Sequence, residues 1–343
     1  MKVLIVDDSI VFRSAIANVV NEVPGMEVVK SVPNGKLGVE SLMYNKEINI
    51  VILDLEMPIM DGLQAIQEIR KFNKEVVIIV FSSLTSLGAE KTIQALNYGA
   101  NDFVTKPDGT SSAGGIDTIK GELIQKIISF KSRVVKNQEN AQKVVAPTSS
   151  SAHVNFDRKD LILIGCSTGG PEALTKIFRT ITNPIKASIL IVQHMPPMFT
   201  AKLAEMLDKI CPINVREAQD GMILKANTCY IAPGDYHMTI ENKTIRLNQS
   251  EKISFVRPSV DVLFSSLARN SNHKMAALIL TGMGEDGAQG AKLLKQNGVD
   301  VYVQDKLSSV VWGMPGAVYN NVPGAGVLNL DDISGAISKM GLW

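Results

Sequence analysis

Short Val- and Ile-rich runs alternate along this chain with stretches whose apolar residues fall three and four apart. KVLIV (2–6), MEVVKSV (26–32), INIVILD (48–54), VVIIVF (76–81) and NDFVTK (101–106) are too short for helices. Between them, patterns such as IVFRSAIANVV and LQAIQEIRKF carry the helical period. Strands joined through helices run parallel, and a parallel sheet needs cover on both faces. The expected fold class is therefore α/β, with a doubly wound five-stranded parallel sheet in the first part of the chain.

The pattern lapses in KNQENAQKVVAPTSSSAHVNFDRKD (136–160), which is polar, holds Pro147 and carries four consecutive small hydroxyl residues, Thr148 to Ser151. This composition predicts a flexible linker. The alternation resumes with LILIG (161–165), ASILIVQH (187–194), MAALILTG (275–282) and VDVYVQD (299–305). Helices are expected over 171–181, 198–210, 259–270 and 286–297. TCYIAPGDYHMTIENKTIRLN (228–248) alternates and carries the turn signals PGD and ENK, so antiparallel hairpins are expected there. The reading is a first domain over 1–130, a linker over 131–157 and a second, mostly parallel α/β domain with a hairpin insertion over 158–343. A length of 343 residues suits two domains.

Charge and cysteine content narrow the classes. A net charge of +1 supplies no global field toward nucleic acid or an anionic membrane. No apolar run reaches the roughly 18 residues of a membrane span. Cys166, Cys211 and Cys229 are an odd, scattered set that suits neither a disulfide framework nor a zinc site. A cytoplasmic protein without membrane insertion is expected.

Acids end several strands of the first half. Asp7 and Asp8 follow the first strand and Asp54 ends the third. In a parallel sheet these ends share one edge, where ligands collect. Three carboxylates there call for a cation, and Mg²⁺ suits an oxygen-rich site that keeps waters. Ser82 after the fourth strand and Lys106 before Pro107 add a hydroxyl and an ammonium able to bind phosphoryl oxygens. One such acid would mean only a solvated strand end or a helix cap; the set is specific.

In the second half, GCSTGGP (165–171) turns from a strand into a helix. The G-x-S-x-G spacing can present Ser167 as a nucleophile, and the same glycines before a helix start can cradle a phosphate. On the turn alone both readings stand. Partners favour the serine. His194 ends ASILIVQH, and TGMGEDG (281–287) brings Asp286 to the same edge. A serine needs a base, and the base an orienting acid. Rival readings are Cys166 as nucleophile, Asp286 as a cap of the helix after it, and a metal held by His194, His237 and Asp286. Met195, Met198 and Phe199 form either an apolar rim beyond His194 or ordinary packing. His153 falls in the linker, and His273 lies in a polar stretch before a strand.

VDDS (6–9), LDLEMPIMDG (53–62), FSSLT (81–85) and FVTKP (103–107) resemble the receiver domain of bacterial two-component response regulators, a flavodoxin-like fold. IGCSTGGPEAL, VQHMPPMFT, DGMILKANTCYIAPGDYHM, RPSVDVLF, LTGMGEDGAQG and VVWGMPGAV resemble the catalytic domain of chemotaxis-specific protein-glutamate methylesterases. The first resemblance implies that Asp54 accepts a phosphoryl group from a histidine kinase, with Mg²⁺ on Asp7, Asp8 and Asp54. Lys106 and Ser82 would meet the phosphoryl oxygens, and Phe103 stands at the family's aromatic switch position. The second implies Ser167 as nucleophile, His194 as base and Asp286 as orienting acid, with the backbone at Thr168 and Met283 as oxyanion donors and no cofactor in that domain. The expected substrate is a glutamyl methyl ester on a chemoreceptor's cytoplasmic helix, and some members also deamidate receptor glutamines. Regulation is expected through a receiver that restrains the catalytic half until it is phosphorylated. A receiver-controlled adaptor without catalysis is the alternative output; a DNA-binding output lacks both a helix-turn-helix and a basic face.

Overall fold

The computed structural model describes residues 1–106, 119–131, 156–270 and 274–341. Most of the expected linker, with His153, lies outside the described residues, as do Pro107 and His273. The chain divides into two compact units, Met1–Val145 and Ala146–Trp343.

The first unit is built on β1 (Lys2–Val6), β2 (Glu27–Val32), β3 (Ile48–Asp54), β4 (Val77–Ser83) and β5 (Asp102–Lys106). They form one sheet in the order β2-β1-β3-β4-β5, and every pairing is parallel. Helices α1 (Ile10–Asn21), α2 (Gly35–Tyr44), α3 (Gly62–Phe72) and α4 (Ser86–Asn97) connect the strands, and α5 spans 119–131. β1, β3 and β4 lie inside the sheet and are buried along nearly their whole length, hence their unbroken apolar sequence. β2 is an edge strand and correspondingly more polar.

Four helices of this unit start at a capping side chain. Ser9, Asn34, Asp61 and Thr85 accept hydrogen bonds from the backbone N–H of Phe12, Leu37, Gln64 and Gly88. All four caps follow parallel strands whose carboxyl ends share one edge, which concentrates turns and polar side chains there.

The second unit holds a seven-stranded sheet. Its members are β6 (Leu161–Cys166), β7 (Ser188–Gln193), β8 (Asn214–Glu217), β9 (Thr228–Ile231), β12 (Met275–Ile279), β13 (Asp300–Gln304) and β14 (Gly326–Leu328). The order is β14-β13-β12-β6-β7-β9-β8, all parallel. From β6 the chain runs first to β7 on one side and later to β12 on the other. That reversal opens a crevice at the carboxyl ends of β6 and β12. The helices are α6 (Gly170–Thr180), α7 (Phe199–Asp208), α8 (Val260–Asn270), α9 (Ala288–Gln296), α10 (Gly313–Asn321) and α11 (Leu330–Met340).

The hairpin expectation over 228–248 is half right. β10 (His237–Glu241) and β11 (Thr244–Asn248) pair antiparallel, but β9 lies parallel beside β7 in the main sheet. All four residues of β9 are buried, as befits a strand covered on both faces. β8 and β14, NVRE and GVL, are too short to show a period in sequence. Among the described residues no helix is long and apolar enough to cross a membrane.

Candidate active site

Ser167 follows β6 directly. Its N–H donates to the Thr281 carbonyl (3.0 Å), and its own carbonyl accepts from the Gly170 N–H (2.8 Å) and Gln193 Nε2 (3.0 Å). Gly169 has φ +76°, and a Cβ there would lie 2.6 Å from Val310, so the turn into α6 takes glycine. Pro171 sits in the first turn of α6. The side chain of Cys166 is fully buried and donates to Gln193 Oε1 (3.0 Å). Burial pushes its thiol far up, so it stays protonated and is a poor rival nucleophile.

His194 follows β7, and its N–H donates to the Cys166 carbonyl (3.1 Å). Its Nε2 lies 2.8 Å from Asp286 Oδ2. In the tautomer that this bond implies, Nε2 carries the proton and Nδ1 is the basic nitrogen. Ser167 Oγ and His194 are not hydrogen-bonded in the structure. Unliganded sites often leave that bond to form with substrate.

Asp286 is buried and also accepts from Ser259 Oγ (2.7 Å), Val260 N–H (2.7 Å) and Asp261 N–H (3.1 Å). Burial alone would push its carboxyl up. The hydrogen bond and charge of His194, with the Ser259 and Val260 donors, outweigh that and hold it below the usual range. Asp286 is thus a cap, but of α8 rather than of the helix that follows it. The N-cap of α9 is Gly287, which has no side chain to cap it. Ser259 went unnoticed in the sequence because nothing local links it to a residue 27 positions away.

A third strand end completes the surroundings. Thr281 Oγ1 donates to the Thr168 carbonyl (2.9 Å) and accepts from the Val311 N–H (2.9 Å). Gln304 Oε1 accepts from the Thr281 N–H (2.8 Å). A Cβ on Gly282 would lie 2.9 Å from Ser167 Cβ, so the Gly282–Met283 backbone passes hard against the serine. The Thr168 N–H forms no hydrogen bond among the described residues.

The apolar-rim expectation reduces to one residue. Met195 and Phe199 are buried, whereas Met198 is exposed with φ 71° just before α7. The alternative metal site gains no support: His237 is buried on β10 with Nε2 3.0 Å from the Glu251 carbonyl. Among the described residues, the acidic trio of the first unit is the cluster with metal-binding spacing.

In that trio, carboxylate oxygens of Asp7, Asp8 and Asp54 lie within 4.8 Å of one another. Lys106 Nζ reaches Asp54 Oδ2 (2.8 Å) and Asp7 Oδ2 (3.2 Å). Burial, with repulsion from Asp7, pushes the Asp54 carboxyl up to about 6 against the pull of Lys106. Three acids facing one ammonium leave a surplus of negative charge, which suits a divalent cation. Ser82 does not join this group: its Oγ donates to the Gly88 carbonyl (2.9 Å), toward α4. Phe103 is buried, with Lys126 Nζ 5.0 Å from its ring centre. Lys126 also pairs with Asp102 (3.1 Å), a buried ion pair that no local pattern signals.

Residues 162–337 match the family described as CheB methylesterase, and residues 3–112 match the response regulator receiver domain. A protein-glutamate methylesterase/protein-glutamine glutaminase of Trichodesmium erythraeum is 39% identical over 336 residues, 93% of this chain and 93% of that one. Another, from Paramagnetospirillum magneticum, is 38% identical over 367 residues, 99% of this chain and 96% of that one. The solved CheB methylesterase catalytic domain of Thermotoga maritima is 39% identical, covering 53% of this chain and 98% of that one at a TM-score of 0.49. This chain belongs to the CheB methylesterase family, with a response regulator receiver domain ahead of its methylesterase domain.

Proposed function

We propose that this protein hydrolyses glutamyl methyl esters on chemoreceptors, under control of phosphorylation at Asp54. The observation that carries the reading is the 2.8 Å bond between His194 and Asp286 at the rim where the Ser167 turn emerges. His194 Nδ1 takes the proton of Ser167 as Oγ attacks the ester carbonyl. The N–H groups of Thr168 and Met283 receive the oxyanion. Asp286 steadies the imidazolium, which then protonates the departing methoxide so that it leaves as methanol. Water, deprotonated by His194, attacks the acyl-enzyme, releasing glutamate and restoring Ser167. A receptor glutamine follows the same route with ammonia leaving, in line with the glutaminase half of the relatives' names.

In the first unit, Asp7, Asp8 and Asp54 would hold Mg²⁺, which supplies charge neutralisation when a phosphoryl group approaches Asp54. Asp54 accepts that group from a kinase phosphohistidine. Lys106, already 2.8 Å from Asp54, pairs with the phosphoryl oxygens. Ser82 must leave the Gly88 carbonyl to join it, and the pose of Phe103 follows that change. The test is methanol release from methylated receptor. Wild type is expected to release it and Ser167→Ala is not; equal release by both sinks the assignment.

A further inference from the structure

Asp286 is held by more than the histidine. Oδ2 accepts from His194 Nε2 and the Val260 N–H, and Oδ1 from Ser259 Oγ and the Asp261 N–H. Three of these donors belong to the start of α8, where free N–H groups and the helix dipole favour an anion. The exchange is reciprocal. Asp261, in the first turn of α8, accepts at Oδ1 from the Gly290 N–H (2.7 Å) in the first turn of α9. Each helix start is therefore capped by a carboxylate from the segment that leads the other. There is little slack between them: a Cβ on Gly290 would lie 2.5 Å from Phe264 Cβ.

We propose that Ser259 and Asp261 are positioning residues for the His194–Asp286 pair. Ser259 fixes the plane of the carboxylate so that Oδ2 faces Nε2, and its hydroxyl shares the charge on Oδ1. Asp261 ties down the first turn of α9, immediately beyond Asp286. Without the Ser259 hydroxyl, Asp286 becomes the stronger base and holds the imidazolium more tightly. The carboxylate is also free to turn, so Oδ2 no longer faces Nε2 squarely and the imidazole is aimed less well at Ser167. Asp261, from α8, is an ionisable group whose charge acts on Asp286. Removing the charge of Asp261 works in the opposite direction, easing its repulsion of Asp286.

This inference rests on His194 and Asp286 serving as base and orienting acid. The test uses the full chain with ¹⁵N-labelled histidine imidazoles, His194 being assigned by its loss in His194→Gln. Ser259→Ala is expected to move the ¹⁵N resonance of His194 Nε2, which reports its bond to Asp286 Oδ2. Asp261→Asn, which keeps an acceptor for Gly290, is expected to move it in the opposite sense. In methanol release, Ser259→Ala is expected to reduce kcat about tenfold with KM little changed. A His194 Nε2 resonance unmoved by both substitutions overturns the proposal. Should wild type release no methanol while His194 still responds to Ser259, the esterase reading fails and the positioning role stands.

Discussion

Ser167 and His194 directly follow β6 and β7, Asp286 lies in the segment after β12, and the proposed role of each depends on its neighbours. Serine alone is a weak nucleophile, so the imidazole must be neutral and aimed. Asp286→Asn keeps the shape but can no longer balance an imidazolium, and it favours the other tautomer. It is expected to lower kcat about 10⁴-fold, measured as methanol release. In the first unit, Asp54 titrates at about 6 when folded and near 3.8 when unfolded. The folded state thus keeps a proton that the unfolded chain has lost. The stability contributed by this group is full below about pH 3.8 and is lost as pH rises through about 6. Thermal unfolding at pH 4.5 and 7 should show that loss; Asp54→Asn should flatten it, and Mg²⁺ at pH 7 should offset it. The His194–Asp286 pairing was expected from the sequence because His194 ends one apolar run and Asp286 lies in the segment that follows another. Ser259, the choice of ring nitrogen and the inward turn of Ser82 were not, since tertiary contacts set them.

At the scale of elements, the parallel sheets were plain because buried strands read as unbroken Val and Ile runs. β8 and β14 were missed because three or four residues carry no period. β9 was misplaced because turn signals just after it suggested a hairpin, while its burial on both faces is invisible in sequence. The strand–turn–helix at 165–171 was legible from its glycines. Gly169→Ala tests that reading. A left-handed alanine with Val310 in its path is expected to cost about 2 kcal/mol, seen in denaturant unfolding of the second unit. It should also displace Ser167 and depress methanol release. Unchanged stability would show that the turn tolerates a side chain and that its glycine was not needed.

At the scale of the whole molecule, a receiver and a hydrolase on one chain make sense only if the state of one changes the rate of the other. Such coupling needs the phosphoryl group to favour one state of the protein over another by differential free energy. Asp54→Ala is expected to leave basal methanol release in place and to remove its response to a phosphodonor. The two-domain reading was legible because two alternating regions flank a polar stretch. The most direct measurement is methanol release from methylated chemoreceptor by wild type and Ser167→Ala, each with and without a small phosphodonor. Release by wild type that rises with the donor, and none beyond background from Ser167→Ala in either condition, is the predicted result. Undiminished release by Ser167→Ala, or a wild type indifferent to the donor, would contradict it.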